Sequence, residues 1–295
     1  MSLSALDACR AELTAVAGDD ERVVCLEAVP RYGSGHPFEA AHPDRFFRLG
    51  RADAAMVEMA AGLAVAGFRP FVVTAGDGTP EDIGRTVGYL SAGVSVIAPH
   101  DGGPLDLGAL RQAAPVTLAA PYGEAETRAL VRAAARTGRP HYLRTGPGDR
   151  CPPLAWEGPE PPVVNWQGGD PEGPCVVSVG QLGTAAALAA RLIAPGLAHA
   201  HLLYLDEPHL AAAAAELSRR HRRFVIAGGW PGPGDVLERL ARLLPHCEVV
   251  GVPVWWSGGG GPADPDRPLN GALAVRAVLA AADRLTGGRR APAPA

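Results

Sequence analysis

Short apolar runs and segments of helical period alternate along this chain. Residues 5–17 carry apolar positions at helical spacing and predict a helix, and Arg22–Glu27 reads as a strand. From Asp53 to Ala66 the helical period returns and stops at Gly67, a residue suited to the left-handed turn that closes a helix. Beyond it come a strand at Pro70–Thr74, a helix near 80–91 and a strand at Val94–Ala98. Strands at Val116–Ala120 and His141–Arg144 then bracket a helix at Glu124–Arg136. Strands alternating with helices of this length predict a parallel sheet covered on both faces.

The pattern breaks after residue 146. The stretch 147–174 holds Pro147, Pro152, Pro153, Pro159, Pro161, Pro162, Pro171 and Pro174 among many glycines, and reads as a stiff linker. A second alternating block follows. It has strands at Cys175–Val179, His199–Leu205, Arg223–Ala227 and Glu248–Val252, with helices near 181–193, 208–219, 234–244 and 269–285. The expected fold class is therefore α/β, with two domains that are each a mainly parallel sheet flanked by helices. Their bounds are 1–146 and 175–288, with a disordered tail at 289–295.

Composition narrows the function classes. The 295 residues carry 27 basic and 31 acidic side chains, a formal charge of −4 with no basic block, which argues against nucleic acid as a partner. No apolar run approaches the ~20 residues of a bilayer span, and the start lacks a basic segment leading into an apolar one. A cytoplasmic protein is expected. Lysine is absent, which removes Schiff-base chemistry and a phosphate-loop lysine. Cys9, Cys25, Cys151, Cys175 and Cys247 are scattered without a Cys-x-x-Cys pair, so buried thiols are expected rather than a metal site or disulfides. Gly258–Gly261 lacks the spacing of a dinucleotide fingerprint and reads as a loop.

One stretch says more. Pro43-Asp-Arg-Phe-Phe-Arg-Leu-Gly-Arg-Ala-Asp-Ala-Ala-Met56 runs through Ala60-Ala-Gly-Leu-Ala64 to Phe71-Val-Val-Thr74. It resembles the start of the pyrimidine-binding domain of transketolases. The resemblance continues at Asp82-x-x-Arg85, at His100-Asp101 and at Arg139-Pro-His-Tyr-Leu-Arg144. Residues 175–287 are similar to the family's carboxy-terminal domain in element order. Nearly the whole chain is covered, but only as the carboxy-terminal half of a full-length transketolase.

What the resemblance implies is a subunit of a split enzyme that transfers a two-carbon unit to or from a small molecule, in a specialised biosynthetic pathway. Thiamine diphosphate would be shared with a separate amino-terminal transketolase-like subunit carrying the Gly-Asp-Gly…Asn motif and holding Mg²⁺. Gly76-Asp77-Gly78 cannot replace that motif, because the chain's asparagines are Asn165 and Asn270, so it reads as a turn. Self-association through the pyrimidine-binding domain would give an α2β2 assembly. Two alternatives stay open: a catalytically degenerate structural or regulatory partner of such an enzyme, and a 2-oxo acid dehydrogenase E1 β-like subunit.

The resemblance also nominates residues. Asp53 matches the glutamate that holds N1′ of the aminopyrimidine at a helix start. Aspartate shortens that reach by about 1.5 Å, and a misplacement of about 1 Å can cost ~10²-fold in rate. The competing role for Asp53 is a carboxylate facing the helix dipole. Glu58, five residues on, turns away from that position. Met56, Phe71 and Thr74 complete the expected cofactor wall. His100 and His36 are the expected acid–base or hydroxyl-binding residues, with Ser34 and Asp101 against substrate. Asp82 and Arg85 read as an ion pair. Three departures thin the family's shell: no aromatic in Ala75–Pro80, no second histidine in Gly102–Arg111, and Ala227-Gly-Gly-Trp230 in place of a Glu-His pair.

Overall fold

A computed structural model describes residues 3–28, 36–49, 53–74, 93–99, 110–111, 116–145, 153–228, 236–254 and 271–287. It divides into two compact units, one of Met1–Pro161 with Tyr204–Asp206, the other of Pro162–Leu203 with Glu207–Ala295.

The first unit is built on six parallel strands in the order β2-β1-β3-β4-β6-β5. These are β1 (Val23–Ala28), β2 (Phe46–Leu49), β3 (Arg69–Val73), β4 (Ser95–Ala98), β5 (Thr117–Ala119) and β6 (His141–Arg144). β1 and β4 are buried along their whole length, as a parallel sheet covered on both faces requires. Helix α1 (Ala5–Asp19) opens on a side-chain cap in which Ser4 Oγ accepts from the Asp7 amide at 3.1 Å. Its inner face buries Ala8, Cys9 and Leu13. Its Glu12 then takes two arginines from α4 (Glu124–Thr137), Arg128 and Arg132, each at 2.9 Å. Between β1 and β2 lies a short helix, α2 (Pro37–Ala41), followed by a 3-10 turn at Pro43–Arg45. α3 (Asp53–Val65) connects β2 to β3. Tyr204–Asp206 joins this unit by main-chain pairing, since Leu205 N donates to Leu118 O at 2.8 Å.

The second unit carries five strands in the order β11-β10-β8-β9-β7. Four are parallel: β8 (Cys175–Val179), β9 (Ala198–Leu202), β10 (Arg223–Ala227) and β11 (Glu248–Val252). The fifth, β7 (Asn165–Trp166), is antiparallel to β9 and falls inside the stretch that the prolines mark as linker. Two residues between proline clusters give no alternation to detect, and an edge position needs only one partner strand. The helices are α5 (Gly180–Ile193), α6 (Glu207–Arg220), α7 (Val236–Leu243) and α8 (Gly271–Leu285). α5 and α8 bury Ala187, Ala190, Ala274 and Ala281 together with Val176 and Val225 of the strands. Small residues bring α5 so close that a Cβ on Gly183 would lie 2.3 Å from the Ala227 carbonyl oxygen.

Both units are α/β with mainly parallel sheets, as the periodicity predicts. The helix expected near 80–91, the Gly76–Gly78 turn, the Asp82–Arg85 pair, the Gly258–Gly261 loop and the tail at 289–295 lie outside the described residues. Among the described residues no helix is long and apolar enough to cross a membrane.

Candidate functional site

The strand order of the first unit marks the point where sheets of this kind take ligands. From β1 the chain passes to β2 on one side, whereas β4 lies beyond β3 on the other. Open α/β sheets place ligands at the carboxyl ends of strands where the winding direction reverses, here between β1 and β3. The register sets Glu27 opposite Val73 at that point. Thr74 follows, half-buried, with its amide donating to Ile97 O at 3.0 Å. Asp53 is the first residue of α3, the helix that leaves β2 beside β1.

Glu27 is the charged centre of this rim and is 2% exposed. Arg10 Nη2 of α1 donates to its Oε1 at 2.5 Å, and His36 Nε2 pairs with its Oε2. His36 caps α2, its Nδ1 accepting from the Phe38 amide at 3.2 Å. With Nδ1 accepting, a neutral ring carries its proton on Nε2, which is the atom turned to Glu27. The ring lies against Phe46, centroids 4.5 Å apart. Burial pushes the Glu27 carboxyl up, but hydrogen bonds from His36 and Arg10 and the Arg10 charge outweigh it. The carboxyl is held below its ordinary value.

Cys25, Glu27 and His36 place potential ligand atoms within 4.8 Å of one another, the one such group among the described residues. The donor set does not suit a cation. His36 Nε2 bears the ring proton, Arg10 occupies one Glu27 oxygen, and burial pushes the Cys25 thiol well up, so no ligand atom is ready. Cys9, beside it, is raised by the same cause. Arg10, Glu27 and His36 form a buried ion-pair network.

The other nominated residues fall into three groups. Met56 and Phe71 are fully buried in the first unit's core. Asp53 and Thr74 stand at the rim in the main chain. Ser34, His100 and Asp101 lie outside the described residues. Glu27 escaped the sequence reading, although a lone carboxylate inside the run Val23-Val-Cys-Leu-Glu-Ala28 is a signal that such a charge must have partners. In the second unit, His199 and His201 on β9 were likewise read only as strand residues. Both are completely buried.

No family model matches the chain. Over 63 residues, 21% of this chain and 18% of the relative, it is 46% identical to an uncharacterized transketolase family protein of Sinorhizobium fredii. Over 184 residues it is 30% identical to a 1-deoxy-D-xylulose-5-phosphate synthase of Nitratidesulfovibrio vulgaris, covering 57% of this chain and 29% of that one. The matched parts are thus less than a third of these curated relatives. Among solved structures, a split gene transketolase described as an inactive β4 tetramer aligns with TM-score 0.76 and 21% identity, over 98% of this chain and all of that one. A transketolase from Leishmania mexicana aligns with TM-score 0.68 and 16% identity, over 99% of this chain and 47% of its own.

Proposed function

We propose that this chain, similar in fold to the carboxy-terminal half of transketolases, is one subunit of a split thiamine-diphosphate enzyme transferring a two-carbon unit. Activity would depend on a separate chain that holds the diphosphate and Mg²⁺. The observation that carries this reading is α3. Its thirteen residues are apolar or small except Asp53 and Glu58, yet only part of the helix is buried. Met56, Val57 and Ala60 face the core, while Ala55, Gly62 and Val65 are exposed, Val65 at 84%. A helix apolar on all sides is ordinarily enclosed. Here the first unit encloses one side, which leaves the other to a second protein surface, and Asp53 begins that same helix.

The donor set at the rim fits the pyrimidine end of the cofactor. The Thr74 hydroxyl and a carboxylate at Asp53 would suit a ring with donor and acceptor nitrogens. When bound, thiamine diphosphate supplies a carbon acid able to carry a two-carbon fragment. On this reading Asp53 hydrogen-bonds ring nitrogen N1′ and Thr74 lines the same wall. Met56 and Phe71 pack behind it as its rigid support. His100, Ser34 and Asp101 would face substrate.

A second reading, a structural partner without chemistry, gains from one contact. His36, nominated as an acid–base residue, has Nε2 paired with Glu27 and Nδ1 taken by the Phe38 amide. Titration calorimetry with thiamine diphosphate and Mg²⁺ tests the split arrangement. The chain alone should give no measurable heat, and the complex with its diphosphate-binding partner should bind. Tight binding by the chain alone would overturn it.

A further inference from the structure

Under the first turns of α5 the second unit's sheet carries a polar patch, where strands buried on both faces are ordinarily apolar. β9 reads Ala198-His-Ala-His-Leu202, so both histidines point to one face, and both have no exposed surface. Ser178 of β8 is the register partner of His201. Its hydroxyl lies 2.8 Å from His199 Nε2 and 3.3 Å from His201 Nδ1. Thr184 of α5 stands 3.1 Å from Ser178 Oγ and 3.0 Å from His201 Nδ1. Its nearest acceptor is the Gly180 carbonyl at 2.7 Å, one turn back at the start of α5.

On the far side of the His199 ring, Nδ1 is buried and meets no hydrogen-bond partner among the described residues. Whichever way the Ser178–His199 proton points, an imidazolium would leave an N–H there with no acceptor. Among the described residues, the titratable or charged groups acting on His199 are His201 of its own strand and Arg191 of α5. From β8 and β7 the same face receives Ser178 and Asn165, which do not titrate. Nothing in this set balances a positive ring. We propose that the Ser178–His199–His201–Thr184 cluster is an acid-released clasp, which fixes the start of α5 to β8 and β9 while His199 is neutral and frees it when His199 takes up a proton. The inference does not depend on the transferase reading.

Release would carry beyond the helix. α5 begins directly after β8, the neighbour of β10, and Gly183 sits against the Ala227 carbonyl at the end of β10. A freed first turn therefore loosens the exit of β10. Burial, followed by His201 and Arg191, pulls the His199 pKa from 6.5 down to about 3. Because the folded value is the lower one, the clasp is whole above 6.5 and weakens as the pH falls from there toward 3.

Hydrogen exchange on the full chain tests this, with intrinsic rates corrected for pH. Openings of α5 that wet His199 should be about 25-fold more frequent at pH 5 than at pH 7, from proton linkage between the two values. α4 of the first unit serves as internal reference. His199→Gln, which keeps a polar group and cannot titrate in this range, should remove the pH response of α5. An α5 protection equal at both pH values overturns the clasp, and so does an unchanged response in His199→Gln. Should that variant not fold, the His199 ring signal in the unmutated protein decides by NMR. A ring that stays neutral to pH 5 supports the clasp, and one that titrates near 6.5 in the folded state ends it.

Discussion

His36 Nε2 is paired with Glu27 Oε2, and both side chains are at most 3% exposed. The pair ties the start of α2 to the carboxyl end of β1. Removing one member strands the other in a site with little water, which typically costs about 3–5 kcal/mol. Glu27→Ala should destabilise the protein in that range, as read by urea denaturation. A loss below about 1 kcal/mol would show the network to be expendable.

The same carboxylate gives the acid limb of stability a sign. The folded pKa of Glu27 lies below its ordinary value of 4.5, so its contribution is complete above 4.5 and is lost as the pH falls through the folded value. Glu27→Gln should therefore flatten the acid limb below pH 4.5, in melting temperature followed against pH. An identical slope in both proteins would contradict the pairing.

Asp53 separates chemistry from scaffolding. In the assembled complex Asp53→Ala or Asp53→Asn should abolish proton exchange at C2 of thiamine while partner binding persists. Asp53→Glu should retain activity. If exchange survives in Asp53→Ala, the carboxylate is not the N1′ partner and Glu58 is the next candidate.

Val65, exposed at the end of α3, reports on the second surface. Val65→Asp should leave the urea midpoint of the isolated chain within about 0.5 kcal/mol of the unmutated value, as surface substitutions do. It should lower the sedimentation coefficient of the complex. Unchanged assembly would place the interface elsewhere.

Phe71 divides support from contact. It is 1% exposed, so Phe71→Ala should cost about 3–5 kcal/mol through lost burial and a cavity, in the chain without any cofactor. A stability loss that emerges only in the loaded complex would mean that the ring packs on the cofactor and not in the core.

The elements were legible where burial writes a period into the sequence. Cys175–Val179, Arg223–Ala227 and Glu248–Val252 match their expected bounds, because apolar runs flanked by breakers have little freedom. α2 and β2 were not legible: Pro37–Ala41 is barely one turn, and Phe46-Phe-Arg-Leu49 is a half-buried edge strand without clean alternation. Asp53 and Thr74 are nominated through likeness to a family pattern, and the fold sets their main chain at the start of α3 and just after β3. Glu27 was not legible, since its role comes from Arg10 and His36, which are brought to it by packing. His199 and His201 hid for a related reason. Alanine–histidine alternation reads as a half-solvated strand until the sheet shows both faces covered.

Tyr204–Asp206 makes the protein hard to dissect. Those three residues are encoded after β9 but complete the first unit at β5, where Leu118 both accepts from Leu205 and donates its amide to Asp206 Oδ2 at 3.3 Å. A gene cut inside the proline-rich stretch would yield an amino-terminal fragment whose outermost strand presents bare amides and carbonyls, a template for clumping. The carboxy-terminal fragment would carry a three-residue segment with nothing to pair with. Exchange of whole modules between related genes would thus be obstructed at the place where the proline-rich stretch invites it.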